Sequence, residues 1–501
     1  PEPRAWSPAD PHLYDLRLSV RRGGAVVDTL DSYIGLREVS IDGAAILING
    51  EPIFQRLVLD QGFYPDGNWT APSEEALRGD IELAMAAGFN GARLHQKVFE
   101  PRFLYWADRL GYLVWGEYPS YGANYGDPAV NLPIVDEWRA LVQRDWNHPS
   151  IIGWCPFNET PPEAGALQRA IWRMTRALDP TRPVLETSGW THTLRNPEVL
   201  DAHNYTQEVA RFRQDWLENY QTQAGLTLPT RYGTGAIGTM PFMLSEYGGI
   251  GWAVDEGAWG YGDTPESPEA WLARFDGLTN TLLDNPLMFG LCYTQLTDIE
   301  QEQNGVYTYD RQPKFDPARL RETLARTAAY EAQPPVSRAP AAVLDWRVVV
   351  GSRHDDDPRP WRYVMAEPAA GDWMQPAYDD RAWDTARAPF GGGKGRDVRE
   401  TIQTRWRGDY LALRRTITWD GEPFERAALV LHHDDRIRMW LNGRPVFSRD
   451  GWNDRYQAFD VTAAFRGALR AGDNLLAVEV RQDRGGQFFD AAVLIGVPSG
   501  E

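Results

Sequence analysis

Residues 151–159 read IIGWCPFNE, a short apolar run that ends in Asn158 and Glu159. The turn-forming residues Thr-Pro-Pro follow at 160–162. An apolar run of this length between turn signals is typical of a strand that is buried in a parallel sheet. The stretch therefore predicts a buried strand with polar groups at its C-terminal end.

The same pattern recurs between Ile41 and Glu331, where short apolar runs alternate with helical stretches. Eight runs fit a strand, and they end near Asp60, Leu94, Trp115, Phe157, Thr187, His203, Ser245 and Tyr293. Strands that alternate with helices predict a parallel sheet, and eight such units match a (β/α)8 barrel. We therefore predict an α/β TIM barrel over residues 37–331, flanked by all-β regions.

The flanking regions have a strand-like pattern. Residues 1–36 contain two alternating segments around a turn at 21–24 and predict a β-hairpin. A lone hairpin is marginal in water, so we expect it to end a larger β domain or to pack on the residues C-terminal to it. Residues 332–344 are rich in Pro and Ala and indicate a linker, whereas the short alternating runs of residues 345–498 predict a β-sandwich.

Composition excludes some classes of partner. With 501 residues, of which 43% are hydrophobic, the chain can bury the cores of two or three domains. A formal net charge of -19 disfavours binding to nucleic acid. We find no run that approaches the roughly 18 apolar residues of a membrane span. Cys155 and Cys292 lie in apolar runs and are expected to be inert core residues.

Localisation and ion binding are left open by the sequence. So few cysteines fit the cytosol but also a large secreted or periplasmic enzyme. The start Pro-Glu-Pro-Arg is neither a signal peptide nor an initiator Met, so we expect the natural N-terminus to lie upstream. No cofactor is expected to be required. The runs 354–357 and 432–435 hold metal-capable residues, but neighbouring side chains diverge, so a structural calcium or magnesium ion is unsupported.

Two carboxylates follow predicted strands at the positions where barrels carry their chemistry. Glu159 follows the fourth strand, and Glu246 follows the apolar run PFMLS of the seventh. Two carboxyls that flank a sugar bond are the usual minimum for glycoside hydrolysis. On the residues alone, Glu159 could equally be an acid at the start of a helix, and Glu246 could be part of a structural ion pair.

Several longer motifs resemble those of glycoside hydrolase family 2, in the family's order. They are WSPADPHLYDL with GLRE, ILINGEPIF, DIELAMAAGFNGARLH, YWADRLGYLVWGEYPS, RDWNHPSIIGWCPFNE, SEYGG and YTQLTDIEQEQNGVYTYDRQPK. The resemblance implies a retaining exo-β-glycosidase in which Glu159 is the acid/base and Glu246 the nucleophile. It further implies that Asn158 contacts the sugar 2-hydroxyl and that Tyr205 hydrogen-bonds the nucleophile.

The resemblance extends beyond the barrel. It implies that residues 1–36 are the last hairpin of an immunoglobulin-like domain. The tail resembles the galactose-binding-like jelly rolls of the same enzymes through HDDRIRMWLNGRPVF, AGDNLLAVEV and GGQFFDAA. Either a domain that braces the barrel or an independent sugar-binding domain would account for that tail, and assembly into oligomers is left open.

A retaining mechanism sets expectations for the geometry. The two carboxyls should lie about 5–5.5 Å apart. We expect Glu159 to be buried beside Glu246 and to hold a proton, while Glu246 stays ionised through Arg93 and Tyr205. The other predicted contacts to the sugar are Asp60, His95, Trp190, His203, Asn204, Trp252 and Gln295, with Glu117 and Tyr293 as further polar groups at strand ends. Packing roles would explain several of these residues equally well.

Two departures from the family pattern bear on the substrate. Many members have an Arg with His three residues later, whereas here His95 follows Arg93 by two. Glucuronidase-like members hold the sugar carboxylate with Asn-x-Lys before a Gly, whereas here Glu302-Gln303-Asn304 precedes Gly305. A neutral hexose such as β-galactose is therefore favoured over a uronic acid. The alternatives are a β-glucuronidase, another family 2 β-glycosidase and an inactive carbohydrate-binding protein.

Overall fold

The computed structural model describes residues 3–189, 191–194, 197–218, 220, 240–252, 257–335, 344–353, 357–369, 371–392, 402–453, 456–483 and 485–498. The described residues up to 335 form one compact unit, and those from 344 onward belong to a second. No helix of the described chain is both long and apolar enough to cross a membrane.

The first unit contains twelve strands and eight α-helices among its described residues. The strands are β1 (Tyr14–Arg22), β2 (Ala25–Ile34), β3 (Val39–Asp42), β4 (Ala45–Ile48), β5 (Glu51–Pro52), β6 (Gln55–Asp60), β7 (Gly91–Leu94), β8 (Leu113–Glu117), β9 (Ile151–Cys155), β10 (Leu200–Asn204), β11 (Phe242–Gly248) and β12 (Gly290–Thr294). The helices are α1 (Glu74–Ala87), α2 (Pro101–Leu110), α3 (Pro128–Asp145), α4 (Gly165–Leu178), α5 (Val209–Arg213), α6 (Pro268–Leu283), α7 (Pro317–Leu324) and α8 (Ala329–Ala332).

Seven parallel strands form the curled central sheet, in the order β10, β11, β12, β6, β7, β8, β9. The last strand, β12, pairs with the first, β6, as barrel closure requires. The strand predicted to end near Thr187 is reduced to two isolated parallel bridges, in which Val184 pairs with Trp154 and Ser188 with Asn158. Pro183 contributes to this irregularity because it has no N–H to donate to the ladder. The predicted TIM barrel is confirmed.

The barrel strands are buried because both faces of the sheet are covered. Every residue of β6, β7, β8, β9 and β12 is buried, as the continuous apolar runs predicted. Helix starts have the expected caps: the side chains of Ser73 and Ser267 accept hydrogen bonds from backbone N–H groups of α1 and α6. Cys155 and Cys292 are buried and free, as predicted.

The predicted N-terminal hairpin is present as the antiparallel pair β1 and β2. Its base is fastened to the barrel, since Trp6 Nε1 donates to the backbone oxygen of Asp108 at 2.7 Å and the Tyr33 hydroxyl donates to Asp108 Oδ2 at 2.7 Å. Further along the hairpin, Leu18 and Leu30 are more than half exposed. The hairpin therefore packs on the barrel only at its base.

Among its described residues, the second unit contains two six-stranded sheets around one main core. Its strands are β13 (Leu344–Val350), β14 (Trp361–Val364), β15 (Asp384–Ala386), β16 (Phe390–Gly391), β17 (Thr404–Arg405), β18 (Tyr410–Trp419), β19 (Arg426–Asp434), β20 (Arg436–Leu441), β21 (Arg444–Arg449), β22 (Gln457–Asp460), β23 (Gly472–Arg481) and β24 (Phe488–Pro498), with one helix in its described part, α9 (Thr462–Ala468). The all-β prediction is confirmed. Residues 336–343 of the predicted linker lie outside the described residues.

Candidate active site

A cavity of about 360 Å³ opens at the C-terminal ends of the barrel strands. It is lined by Leu59, Gln61, His95, Gln96, Ser120, Tyr121, Gly122, Tyr125, Asn158, Glu159, Tyr205, Glu246, Trp259, Tyr261, Thr294 and Glu302. Both predicted catalytic carboxylates are in this wall. Parallel strands all end at the same rim, which explains why residues distant in sequence meet there.

Glu246 lies within β11 and is only 5% exposed. Arg93 Nη1 donates to its Oε1 at 2.9 Å, and the Tyr205 hydroxyl donates to its Oε2 at 2.5 Å. Burial by itself would raise the pKa of this carboxyl. The positive charges of His203 and Arg93 outweigh that effect and lower the pKa of Glu246 to about 2. Glu246 is thus an ionised carboxylate with both expected partners in contact.

Arg93 organises the floor of the cavity. It is fully buried, and its Nε donates to Glu117 Oε2 at 2.7 Å while Nη2 donates to Asn158 Oδ1 at 2.5 Å. Despite burial, the Arg93 guanidinium holds the pKa of Glu117 below its ordinary value. One guanidinium therefore positions Glu117, Glu246 and Asn158 at once, as its five fixed donors allow.

Glu159 differs from Glu246 in its surroundings. Its side chain is 36% exposed, so the expectation that it is buried is wrong. Its φ of 48° is in the left-handed region, which non-glycine residues rarely adopt and which is frequent at functional sites. Glu159 lies beyond the end of the buried strand β9 and lines the cavity, which accounts for its exposure.

The two glutamates approach each other closely. A carboxylate oxygen of Glu159, one of Glu246 and a ring nitrogen of His203 all lie within 4.8 Å of one another. This approach is compatible with a retaining pair, whose carboxyls lie about 5–5.5 Å apart. The same three side chains are the only group of His, Cys, Asp and Glu in the described part of the chain that is compact enough to hold a metal ion.

An aromatic wall extends outward from the nucleophile. The ring of Tyr205 stacks on Tyr261 with centroids 3.5 Å apart, and Trp259 contacts Tyr261 edge-on at 5.6 Å. Trp259 is 44% exposed, and its backbone pairs with Glu302 in a parallel bridge. Sequence reasoning missed Trp259 and Tyr261 because they lie in a loop, far from the predicted strand ends.

Four predicted sugar contacts lie behind or away from the cavity wall. Gln295 is buried and hydrogen-bonds Gln61 and Asn304, and Trp252 packs on Phe315. Asn204 accepts a hydrogen bond from its own loop backbone. Asp60 is buried outside the lining, where burial and the neighbouring Asp80 raise its pKa to about 7.

The other predicted residues lie at different distances from the cavity. His95 lines the cavity, with its Nδ1 at 3.1 Å from Arg93 Nη2. His203 contacts both glutamates from behind, and Tyr293 is a core residue. Trp190 lies outside the described residues. The predicted roles of all these residues stay predictions.

Other lining residues were also missed by the sequence reasoning. Ser120, Tyr121 and Tyr125 come from the loop after β8, where the predicted strand end at Trp115 could have drawn attention to them. Tyr121 is 87% exposed, and an exposed aromatic residue in a loop after a barrel strand is itself a signal for ligand contact.

Comparison with known proteins identifies a family for the first half of the chain. The model of the glycosyl hydrolases family 2 TIM barrel domain matches residues 39–253, and a second model, of glycosyl hydrolases family 2, matches residues 1–37. β-Galactosidase 2 of Enterobacter cloacae is 32% identical over 253 residues, which are 49% of this chain and 23% of that protein. The β-galactosidase of Pseudoalteromonas haloplanktis is 28% identical over 254 residues, again 49% of this chain and 23% of the relative. This chain thus spans about a quarter of these relatives.

Solved structures share the fold. A GH2 β-galacturonidase from Eisenbergiella tayi superposes with a TM-score of 0.55 at 21% identity, covering 64% of this chain and 60% of that chain. A β-D-glucuronidase of Dictyoglomus thermophilum gives 0.53 at 22% identity, covering 65% and 60%. The two family models match adjacent segments in the order of the hairpin and the barrel. On these grounds the chain belongs to glycosyl hydrolases family 2.

Proposed function

We propose that this chain is a retaining exo-β-glycosidase that removes a terminal, non-reducing β-linked neutral hexose, with β-galactosides as its first substrates. Glu246 is the nucleophile and Glu159 the acid/base. The observation that carries the proposal is the approach of their carboxylate oxygens to within 4.8 Å, with Glu246 ionised. That distance supports direct attack by a carboxylate on the anomeric carbon.

The chemistry proceeds in two displacements. In the first, the Glu246 carboxylate attacks the anomeric carbon while the glycosidic C–O bond breaks, and Glu159 gives its proton to the departing oxygen. In the second, Glu159 takes a proton from water, whose oxygen attacks the anomeric carbon and releases Glu246. Two inversions give net retention of configuration. Arg93 and Tyr205 hold the attacking carboxylate in place.

The charge of the cavity favours a neutral sugar. None of the described lining residues is Lys or Arg, whereas Glu302 shares the wall with the two catalytic glutamates. Burial raises the pKa of Glu302 because a carboxylate is poorly solvated there, and a uronate carboxylate beside Glu302 would meet the same unfavourable solvation. The curated relatives are β-galactosidases, which also favours galactose over the β-glucuronide alternative.

A panel of nitrophenyl β-glycosides tests the proposal. We expect the wild type to cleave the β-galactoside and Glu246→Ala to lose activity, by roughly 10³-fold or more. Azide should restore Glu246→Ala and give the α-glycosyl azide. If the wild type cleaves no β-glycoside but binds galactose, the inactive carbohydrate-binding alternative is correct. If Glu246→Ala keeps its full rate, the assignment of the nucleophile is wrong.

We also propose that activity requires no metal ion, because double displacement uses only the two carboxylates. Extended dialysis against EDTA should leave kcat/KM within about twofold of the untreated enzyme. A loss that added Mg²⁺ or Ca²⁺ reverses would contradict this proposal without affecting the assignment of the glutamates.

A further inference from the structure

The carboxylates of Glu159 and Glu246 differ in the hydrogen bonds that fix their orientation. Glu246 receives hydrogen bonds from Arg93 and Tyr205, which are themselves buried or stacked. Among the described residues, the hydrogen-bond partner of the Glu159 carboxylate is His203, whose Nδ1 is 2.6 Å from Glu159 Oε1. An exposed carboxylate on a backbone with positive φ depends on such a contact for its orientation.

The proton on the His203 ring can be assigned from its neighbours. Nδ1 faces two carboxylates, Glu159 at 2.6 Å and Glu246 at 3.3 Å. Glu246 is an ionised carboxylate, which only accepts hydrogen bonds, so Nδ1 carries a hydrogen on the side that faces the two glutamates. The other ring nitrogen, Nε2, is hydrogen-bonded to the Ser188 hydroxyl at 2.6 Å. Ser188 thereby fixes the tilt of the ring.

Ser188 is itself held by hydrogen bonds, and its backbone is also hydrogen-bonded to Glu159. Its backbone oxygen accepts from Glu159 N at 2.8 Å, and its own N–H donates to Phe157 O at 2.8 Å. Its hydroxyl is 3.3 Å from that of Ser245, which donates to Asp201 Oδ2. One buried serine thus fastens both the backbone of Glu159 and the imidazole that contacts the Glu159 carboxylate.

We propose that His203 is a positioning residue for the acid/base, and that Ser188 orients it. The Nδ1–H of His203 donates a hydrogen bond to Glu159 Oε1. The catalytic proton therefore resides on Oε2, which faces the departing oxygen. The orientation of Glu246 is already fixed by hydrogen bonds from Arg93 and Tyr205. This inference rests on the proposed function, since it assumes that Glu159 protonates the leaving group.

The test compares two substrates of the same sugar. A 2,4-dinitrophenyl leaving group departs without protonation, whereas a methyl glycoside needs the acid. We expect His203→Ala to lower kcat/KM for the methyl β-galactoside roughly 10- to 100-fold more than for the dinitrophenyl one, since general acid catalysis contributes about 10²- to 10⁴-fold. His12→Ala, in the segment before β1, is the control and should leave both rates unchanged.

Two further variants separate positioning from simple packing. His203→Asn places an amide N–H near the position of Nδ1 and should recover most of the rate on the methyl glycoside. Ser188→Ala keeps the imidazole but removes its hydrogen bond to the Ser188 hydroxyl. It should lower kcat/KM for the methyl β-galactoside several-fold more than for the dinitrophenyl substrate. Because Ser188→Ala removes a single oxygen, it also reports on the proposal if His203→Ala does not fold.

Each outcome has one meaning. Equal losses on both substrates in His203→Ala and Ser188→Ala would show that His203 serves Glu246, and would overturn the inference. Unchanged rates would overturn it too. The proposed function fails separately: in that case the wild type cleaves neither glycoside, or Glu159→Ala shows no preference for the dinitrophenyl substrate.

Discussion

At the scale of single residues, Arg93 has the most demanding environment in the barrel. Its side chain and that of Glu117 are both fully buried, and that of Glu246 is 7% exposed. Two carboxylates and one guanidinium are stable there only because each hydrogen bond is made and the positive charge lies between the two negative ones. Removing the guanidinium would leave two buried anions without the cation that pairs with both.

Arg93→Met should therefore destabilise the fold strongly. We expect the free energy of unfolding to fall by about 3–5 kcal/mol, the usual effect of breaking a buried ion pair. Urea denaturation followed by tryptophan fluorescence measures it. The control is Arg78→Met, which breaks an exposed pair with Glu82 on α1 and should cost no more than about 1 kcal/mol. Similar small losses in both variants would contradict the assigned role of Arg93.

The lowered pKa of Glu246 predicts that the free energy of unfolding depends on pH. Its pKa falls from an ordinary 4.5 to about 2 in the folded chain. The folded state therefore binds this proton more weakly than the unfolded state. The resulting stabilisation is fully present above pH 4.5 and is lost as the pH falls toward 2.

Comparison of the wild type with Glu246→Gln checks this. The stability advantage of the wild type, measured by urea denaturation, should be constant from neutral pH to about pH 5 and should shrink below that. An advantage that stays constant down to about pH 3 would mean that the folded-state pKa of Glu246 is not lowered.

At the scale of elements, the segment after β11 shapes the aromatic wall. Gly249 has a φ of 55°, and a Cβ there would be 2.5 Å from the Tyr261 ring and 3.1 Å from the Tyr205 ring. A glycine is therefore required twice, for the backbone conformation and for the stacking of the two tyrosines. The stacked pair carries the hydroxyl that donates to Glu246.

Gly249→Ala should accordingly impair catalysis from a position that does not touch substrate. We expect kcat/KM to fall about 10- to 100-fold, because a shift of about 1 Å in a positioning group can have this effect. Gly257→Ala is the matched control, since Gly257 also has positive φ but has no atom within 4 Å of an added Cβ. If both variants keep the wild-type rate, the stacked tyrosines do not position the nucleophile.

At the scale of the whole molecule, the net charge of -19 and the acidic cavity act in the same direction. Both repel an anionic substrate, and salt screens that repulsion over about 10 Å at 0.1 M. A neutral galactoside experiences neither effect.

The predicted domain organisation is confirmed in part. The hairpin, barrel and sandwich are all present. The predicted boundaries at residues 36, 331 and 344 and the sugar-binding role of the tail stay predictions.

The salt dependence of two substrates tests the electrostatic preference. Raising NaCl from about 0.02 to 0.3 M should increase kcat/KM for nitrophenyl β-glucuronide and leave that for the β-galactoside unchanged. Glu302→Gln should narrow the gap between the substrates at low salt. A glucuronide that is cleaved faster than the galactoside at every salt concentration would reverse the substrate assignment.

The barrel, the position of both glutamates at its rim and the contacts of Arg93 and Tyr205 with Glu246 could be predicted from the sequence. A parallel strand is a local apolar run, and the polar residue that ends it lies at the rim whatever the rest of the chain does. Glu159 after β9 and Glu246 in β11 were found in this way. Arg93 followed from the same rule, and Tyr205 from the family motif.

Only the tertiary structure decided which rim residues face the cavity. The pairing of β10 with β11 is irregular between Ala202 and His203, and this irregularity sets His203 opposite Glu246. Trp259 reaches the cavity through a bridge to Glu302, a residue distant in sequence, while Gln295 is turned into the wall. Side-chain direction at a strand end depends on register and on contacts between distant segments, and neither is written in the local sequence.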